Sequence, residues 1–453
     1  MAGTYQTYSE YKDSGVKWLD AIPADWVVSK VKHLTDFQVG WTPPTKVDAN
    51  FIGDNLWANI SDLRSKYIDC TGKNISDEAA KTASMEITPK GSLLYSFKLS
   101  VGAVSFARQN MYTNEAIASF LEGGLLPLSY MYYALPKFVI ENASTNIYGA
   151  RILNQELINN ALLLKPSYAE AEKIATFLDH ETACIDILIE KQQQLIKLLK
   201  EKRQAVISHA VTKGLNPTAP MRDSGVEWLG EVPEHWAVLP IKYIVSIPVT
   251  DGPHETPNFL EEGVPFISAE AVSSGQINFE KIRAHISDED DKRYSLKYSP
   301  EKYDIYMVKS GATTGVTAIV ETDDKFNIWS PLAVIRCNAD SSPYFVLNFM
   351  RSYNFKEAVE LNWSFGTQQN IGMGVIENLH VTRPPAAEAK LISEKLAKQC
   401  RVFDSVINKA SSQIAVLQER HTALISAAVT GKIDVRNWQA PQPSNKSNNN
   451  TGK

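Results

Sequence analysis

The chain states one peptide twice, and that repetition limits what it can fold into. Asp13-Ser14-Gly15-Val16-Lys17-Trp18-Leu19, followed by Pro23 and Trp26, returns 210 residues later as Asp223-Ser224-Gly225-Val226-Glu227-Trp228-Leu229, Pro233 and Trp236. A second echo matches residues 201–212 to 419–430 at an offset of 218. Between the echoes, residues 27–165 and 237–383 share little beyond scattered Gly, Ser and apolar positions. The chain therefore reads as two copies of one unit. Each has a lead-in segment (1–26; 215–236), a divergent insert (27–165; 237–383) and a long helix (166–214; 384–435), and a polar low-complexity tail expected to be disordered follows (436–453). A duplicated frame around two unlike inserts points to one device reading two different things.

Composition narrows the class. At 453 residues there is room for about three domains. A hydrophobic content of 44% with 21% charged residues fits an ordinary soluble globular protein. No run of 18 apolar residues could span a membrane. The first residues lack a basic-then-apolar signal pattern, so a cytoplasmic location is expected. Cys70, Cys184, Cys337 and Cys400 are far apart with no C-x-x-C pairing, which argues for free thiols over zinc or disulfides. Cys184 and Cys400 fall in helical patterns and are expected to act as small buried hydrophobes.

The net charge of −5 counts against a free-standing nucleic-acid binder, which carries a basic footprint. The first insert is near neutral, with 13 basic and 12 acidic residues, while the second is acidic and contains Asp288-Glu289-Asp290-Asp291. Binding DNA would require segregated charge or a basic partner that helps neutralise phosphate.

Pro166, Ser167 and Glu170 form a capping-box signature opening a helix that runs to Thr212 and stops at Gly214. That is about 46 residues, or roughly 70 Å at 1.5 Å per residue. Ile174, Leu178, Ile185, Leu188, Leu195, Leu199 and Val206 form a heptad seam along it, interrupted by Glu181, Gln192 and Lys202. The second helix, between Pro384-Pro385 and Thr430-Gly431, repeats the seam as Ile392, Leu396, Phe403, Val406, Leu417 and Leu424. Two helices of equal length with matching stripes favour an intramolecular antiparallel coiled coil, a rod that would hold the inserts at fixed separation. The expected fold class is α+β: two mixed α/β domains, two long helices forming that coiled coil, and a pseudo-twofold internal repeat.

Each insert carries a strand, a glycine turn and a second strand: residues 91–97 into 100–106, and 304–309 into 310–320. The glycines suit a turn or a phosphate cradle, but no Gly-Lys-Ser/Thr follows to make a P-loop. Each insert closes on an amide-rich loop, residues 148–155 and 364–371. Amide side chains pair bidentately with adenine edges and also suit local loop hydrogen bonds. The candidate DNA-facing residues are Lys98, Arg108, Gln109, Asn110, Tyr112, Asn114, Arg151, Asn154 and Gln155 in the first insert. In the second they are His254, Lys309, Thr313, Thr314, Thr367, Gln368, Gln369 and Asn370.

No H-E-x-x-H, G-x-S-x-G, Walker box or dinucleotide fingerprint is present, so no catalytic or metal residue is assigned. The Asp/Asn-Pro-Pro-Tyr/Phe segment of an amino-methyltransferase is absent as well. Two other classes compete with recognition of DNA: a scaffold with two unrelated ligand domains on a rod, and a nuclease built from dispersed carboxylates.

The order of these motifs resembles the specificity subunit of type I restriction–modification systems over residues 11–435. The resemblance rests on residues 13–26 and 223–236, the units around Gly102 and Gly311–Gly315, Thr367-Gln368-Gln369-Asn370-Ile371, and the helix ends 207–214 and 425–431. It implies that each insert is a target recognition domain for one half of a split, asymmetric double-stranded DNA site. The helices would set the unread spacer and dock two methyltransferase subunits, and two restriction (motor-nuclease) subunits would join them. S-adenosylmethionine, ATP and magnesium would sit on those partners, leaving this chain non-catalytic and without a cofactor. Residues 148–155 lack the full Thr-Gln-Gln-Asn-Ile string.

Overall fold

The computed structural model describes residues 5–98, 100–145, 149, 151–272, 275–363 and 369–441. They fall into two compact units, one within residues 5–191 and 413–441, the other within residues 192–412.

Each unit begins its insert from the same small hairpin. Tyr11–Lys12 pairs with Ile22–Pro23, and Met221–Asp223 with Glu231–Pro233, so Tyr11↔Pro23 becomes Met221↔Pro233 at the sequence offset. Gly15 and Gly225 turn at φ of 71° and 74°, a region that strains any residue with a Cβ. Asp13 and Asp223 each accept the following glycine amide at 3.0 Å. These contacts are why Asp-Ser-Gly recurs.

The inserts open and close at one place. Val27–Lys30 pairs antiparallel with Leu162–Lys165, and Ala237–Pro240 with His380–Arg383, returning the chain to the foot of the long helix. Within the first insert a five-stranded sheet has the order Phe37–Val39, Ile117–Phe120, Leu93–Ser96, Val104–Ala107, Tyr67–Ile68. The second insert has the order Thr250–Asp251, Leu332–Ile335, Ile305–Val308, Thr317–Ile319. The predicted hairpins form antiparallel ladders in both. The two inserts thus share a sheet order that their sequences do not display. Leu93-Leu94-Tyr95 and Ile305-Tyr306-Met307 are all buried, so the strands lack the alternation of a half-exposed sheet.

The long helices span Tyr168–Lys213 and Ala386–Val429. In the first unit, Ile174, Leu178 and Ile185 share a core with Leu424, Ala428 and Val429. In the second, Ile207, Ala210 and Val211 share one with Ala389, Ile392 and Leu396. In each unit the start of one helix packs on the end of the other, the expected antiparallel pairing.

The seam itself is corrected. Leu188, Leu195 and Val406 are exposed, at 47%, 40% and 38%. Their neighbours Ile189, Ile196 and Ile407 turn inward instead. Where two apolar residues are adjacent, a 3.6-residue helix drifting against a 3.5-residue repeat brings the second one round. Glu170 is corrected too. Ser167 Oγ accepts the Glu170 amide at 3.3 Å, but the Glu170 carboxylate takes hydrogen bonds from Tyr8 and Trp26 of the lead-in hairpin.

Cys184 is exposed, contrary to the buried role expected of it, and Cys400 is half-buried at a core edge. Burial, with Asp304 nearby, pushes the Cys337 thiol up to about 12. A maleimide time course on the native chain is expected to modify Cys70 and Cys184 first and Cys337 last. Rapid labelling of Cys337 would contradict its packing. Arg436 and Trp438, placed at the head of the tail, are engaged: the Trp438 ring lies 5.3 Å from that of Phe177. Asp434 N donates to Gln6 O at 2.7 Å.

Candidate nucleic-acid interface

In the first insert, the candidates between residues 98 and 114 separate into groups. Arg108 and Gln109 leave the strand Val104–Ala107 toward the edge strand Tyr67–Ile68. The Arg108 guanidinium lies 4.4 Å from the Tyr67 ring centroid and 3.4 Å from Asp69. Gln109 Nε2 donates to Asp69 O at 3.0 Å, and Asn110 Oδ1 accepts from Lys90 N at 2.9 Å. Lys98 and Asn114 meet elsewhere: Lys98 Nζ is 3.9 Å from Glu115, and Asn114 Oδ1 accepts the Ala116 amide. Tyr112 is half-buried in a short strand parallel to Asn55–Ala58.

Arg151 donates to Ile140 O at 3.4 Å and lies 3.9 Å from Glu141. Asn154 caps the helix Gln155–Asn160 by accepting the Leu157 amide at 2.8 Å. The first insert therefore spends its Asn154 and Asn114 side-chain oxygens on local backbone. Exposed donors remain on Lys98, Arg108 and Arg151. A guanidinium stacked on a tyrosine keeps its fork in plane and ready for an acceptor.

The second insert gathers its candidates more tightly. The turn after Ile305–Val308 is stapled to the amide loop: Gly311 N donates to Gln369 O at 3.0 Å. Thr314 Oγ1 donates to Gly311 O at 2.7 Å and reaches Gln369 O at 3.4 Å. Ser310 pairs with Asn370, and Ile371 N donates to Lys309 O at 2.9 Å. Gly311 has a φ of 100°, the turn role expected of it. Thr313 is half-buried in the same turn, while Gln369 and Asn370 are exposed. Thr367 and Gln368 lie outside the described residues, as do Tyr148 and Ala150 of the first loop.

Beneath this turn is a residue the sequence reading missed. Asp251 is fully buried, with Lys297 at 2.5 Å, His254 at 3.0 Å and Lys309 at 3.2 Å. Burial pushes its carboxyl up, but Lys297 and Lys309 outweigh that and hold it below the ordinary aspartate range. His254 and Lys309, separate candidates in the sequence, are thus brought to one carboxylate. The only available signal was Asp251-Gly252-Pro253, a turn sequence ahead of His254. The Lys309 side chain is 12% exposed, so its charge is anchored and not a free tether.

The geometry defines a class: a duplicated protein in which each insert carries a strand–glycine–strand turn and follows the same repeated hairpin. Residues 23–197 match the family model of the type I restriction modification DNA specificity domain. The specificity subunit of type I restriction enzyme MjaIX from Methanocaldococcus jannaschii is 24% identical over 439 residues, 94% of this chain and 97% of that protein. Among solved structures, the HsdS subunit from Thermoanaerobacter tengcongensis superposes with a TM-score of 0.53 at 14% identity, covering 93% of this chain and all of that one. A chain from a study of complex assembly and conformational transition of the type I R-M system reaches 0.70 at 13% identity, covering 91% and 99%. Over nearly its whole length the chain is similar to the specificity subunits of type I restriction–modification systems.

Proposed function

We propose that this chain is the DNA sequence-recognition subunit of a type I restriction–modification complex. Each insert reads one half of a bipartite, asymmetric double-stranded site. The paired helices set the unread spacer and dock the methyltransferase subunits. The carrying observation is the second insert's turn, where Lys309, Thr314, Gln369 and Asn370 converge above Asp251. The exposed Gln369 and Asn370 amides, on a turn that Lys309 anchors, are groups suited to base-edge contacts.

The chemistry falls to partners in this reading: two methyltransferase subunits binding S-adenosylmethionine, and two restriction subunits using ATP and magnesium. The chain itself is non-catalytic and works in the cytoplasm. Among the described residues no helix is long and apolar enough to cross a membrane. The acidity of the second insert fits a reader that grips DNA within a complex, where basic partners supply part of the phosphate neutralisation.

The test is a methylome. Co-expression with the methyltransferase subunit, followed by long-read mapping of modified adenines, is expected to show a split motif with a fixed gap that vanishes when this chain is deleted. Unchanged methylation without the chain would overturn the reading and favour the scaffold.

A further inference from the structure

The second unit holds a concentration of positive charge that the reading of DNA does not use. Residues 237–383 carry 19 acidic and 13 basic residues, and most of the basic ones are matched. Arg336 pairs with Asp304 and Glu301, Arg293 with Glu255 and Asp290, and Lys325 with Asp288 and Asp291. Arg351 and Lys356 are not matched: like Lys242, Lys281, Lys292 and Arg383, they form no ion pair among the described residues. Arg351 spends its donors on neutral oxygens, Gly275 O at 2.5 Å and Thr317 O at 3.1 Å. Lys356 Nζ donates to Gln204 Oε1 at 3.2 Å.

Arg203 of the first long helix joins them. One of its terminal nitrogens meets Asp404 at 3.1 Å, while its Nε is buried without a hydrogen-bond partner among the described residues. Burial, then Arg203, holds the Arg351 guanidinium below the ordinary arginine range. Burial, then Arg351, does the same for Lys356. Like charges pressed together at an unpartnered N–H carry a cost that a bound anion would remove.

There is room for one. Arg203 and Arg351 line a cleft of about 670 Å³, whose other walls include Ile207, Phe279, Leu347 and Leu396 and also the acidic Glu321 and Glu394. Arg351 and Gly275 also line a neighbouring cavity of about 320 Å³, on which Lys356 lies. A mostly apolar concavity of several hundred Å³ with a few convergent polar groups is the usual form of a small-ligand site. A duplex backbone, by contrast, is met by exposed cations on an open surface.

We propose that this cleft binds a small organic anion, its phosphate or carboxylate on Arg203 and Arg351 and its aromatic or apolar body against Ile207, Phe279 and Leu347. The larger cleft lies among residues 203–400 with no residue of the Gly311 turn in its walls, while the smaller cavity reaches Thr314 and Gly315; binding in the larger cleft does not rest on the DNA-reading proposal. It would couple occupancy of a metabolite to the junction of helix and insert.

Titration calorimetry on the full chain tests this with adenosine 5′-monophosphate, adenosine and inorganic phosphate as probes. One monophosphate is expected per chain, with adenosine silent and inorganic phosphate competing. Arg203→Met should weaken the monophosphate about tenfold or more, the scale of a lost charge-assisted hydrogen bond. Lys356→Gln, which removes a charge that lies on the neighbouring cavity and not on the cleft itself, should weaken it less while melting like the parent. Equal binding of adenosine and the monophosphate would overturn the proposal. So would unchanged affinity in both variants, or an effect of the variants on duplex DNA binding with no monophosphate binding at all.

Discussion

Asp251→Asn is expected to erase reading of one half-site and leave the other intact. Asp251 is the buried counter-charge for Lys297, His254 and Lys309, and Lys309 leads directly into the glycine turn and its amide loop. Removing one partner of a buried pair strands the others. The full cost of about 3–5 kcal/mol is discounted here to roughly 2–3, because Lys297 and His254 are half-exposed or more. The stranded lysine would turn toward solvent and take the turn with it. In the methylome, one half of the split motif should relax while the gap and the other half persist. Acid titration gives a second readout. The folded carboxyl is depressed, so its stabilisation is complete above the unfolded value of about 4 and fades as pH falls through the lower folded value. Parent and variant should therefore differ most above about pH 4 and converge below it. Simultaneous change in both half-sites, or equal stability at neutral pH, would sink this role for Asp251.

The frame was legible in the chain and the inserts were not, for a physical reason. The lead-in peptide is made of residues with conformational demands, such as Gly15 and Gly225 at positive φ, and those demands are written in residue type. The sheet strands make only an apolar demand. Leu93-Leu94-Tyr95 and Ile305-Tyr306-Met307 satisfy it equally, so the shared strand order has no shared letters. The coiled-coil seam lies between these cases. Its period could be read, but Leu188-Ile189, Leu195-Ile196 and Val406-Ile407 each offer two apolar residues where packing accepts one.

The site divides in the same way. Gly311 as a turn, with Lys309 and Thr314 beside it, follows from local sequence. Asp251 does not, because Lys297 lies 46 residues away and only the tertiary fold sets them together. The meeting of Gln204 with Arg351 across 147 residues is equally hidden. Candidates chosen for chemical type alone also over-counted: Asn154 is a helix cap, and Asn114 binds its own turn.

Trp26→Ala and Trp236→Ala should each cost about 3–5 kcal/mol, the range for deleting a large buried aromatic. Both rings are essentially fully buried, at 0% and 1%. Both indole N–H groups donate at 3.1 Å to a glutamate in the first turn of a long helix, Glu170 and Glu388. Each ring also lies against the glycine that ends a long helix: a Cβ on Gly431 would come 3.4 Å from Trp26, and one on Gly214 3.3 Å from Trp236. One tryptophan therefore ties the lead-in hairpin, the start of one helix and the end of the other within its own unit. Against a typical stability of about 5–15 kcal/mol, that loss is a large fraction for a single domain. Hydrogen exchange should locate it. Trp26→Ala is expected to lower protection in residues 5–191 and 413–441, and Trp236→Ala in residues 192–412. The phenylalanine variants separate packing from hydrogen bonding. They keep most of the apolar volume, and Tyr8 and His235 still contact the two glutamates at 2.7 and 2.8 Å, so each should cost about 1–2 kcal/mol. Identical protection patterns for the two alanine variants would mean that the tryptophans act through one shared cooperative core, and the view of each as the clasp of its own unit would fail.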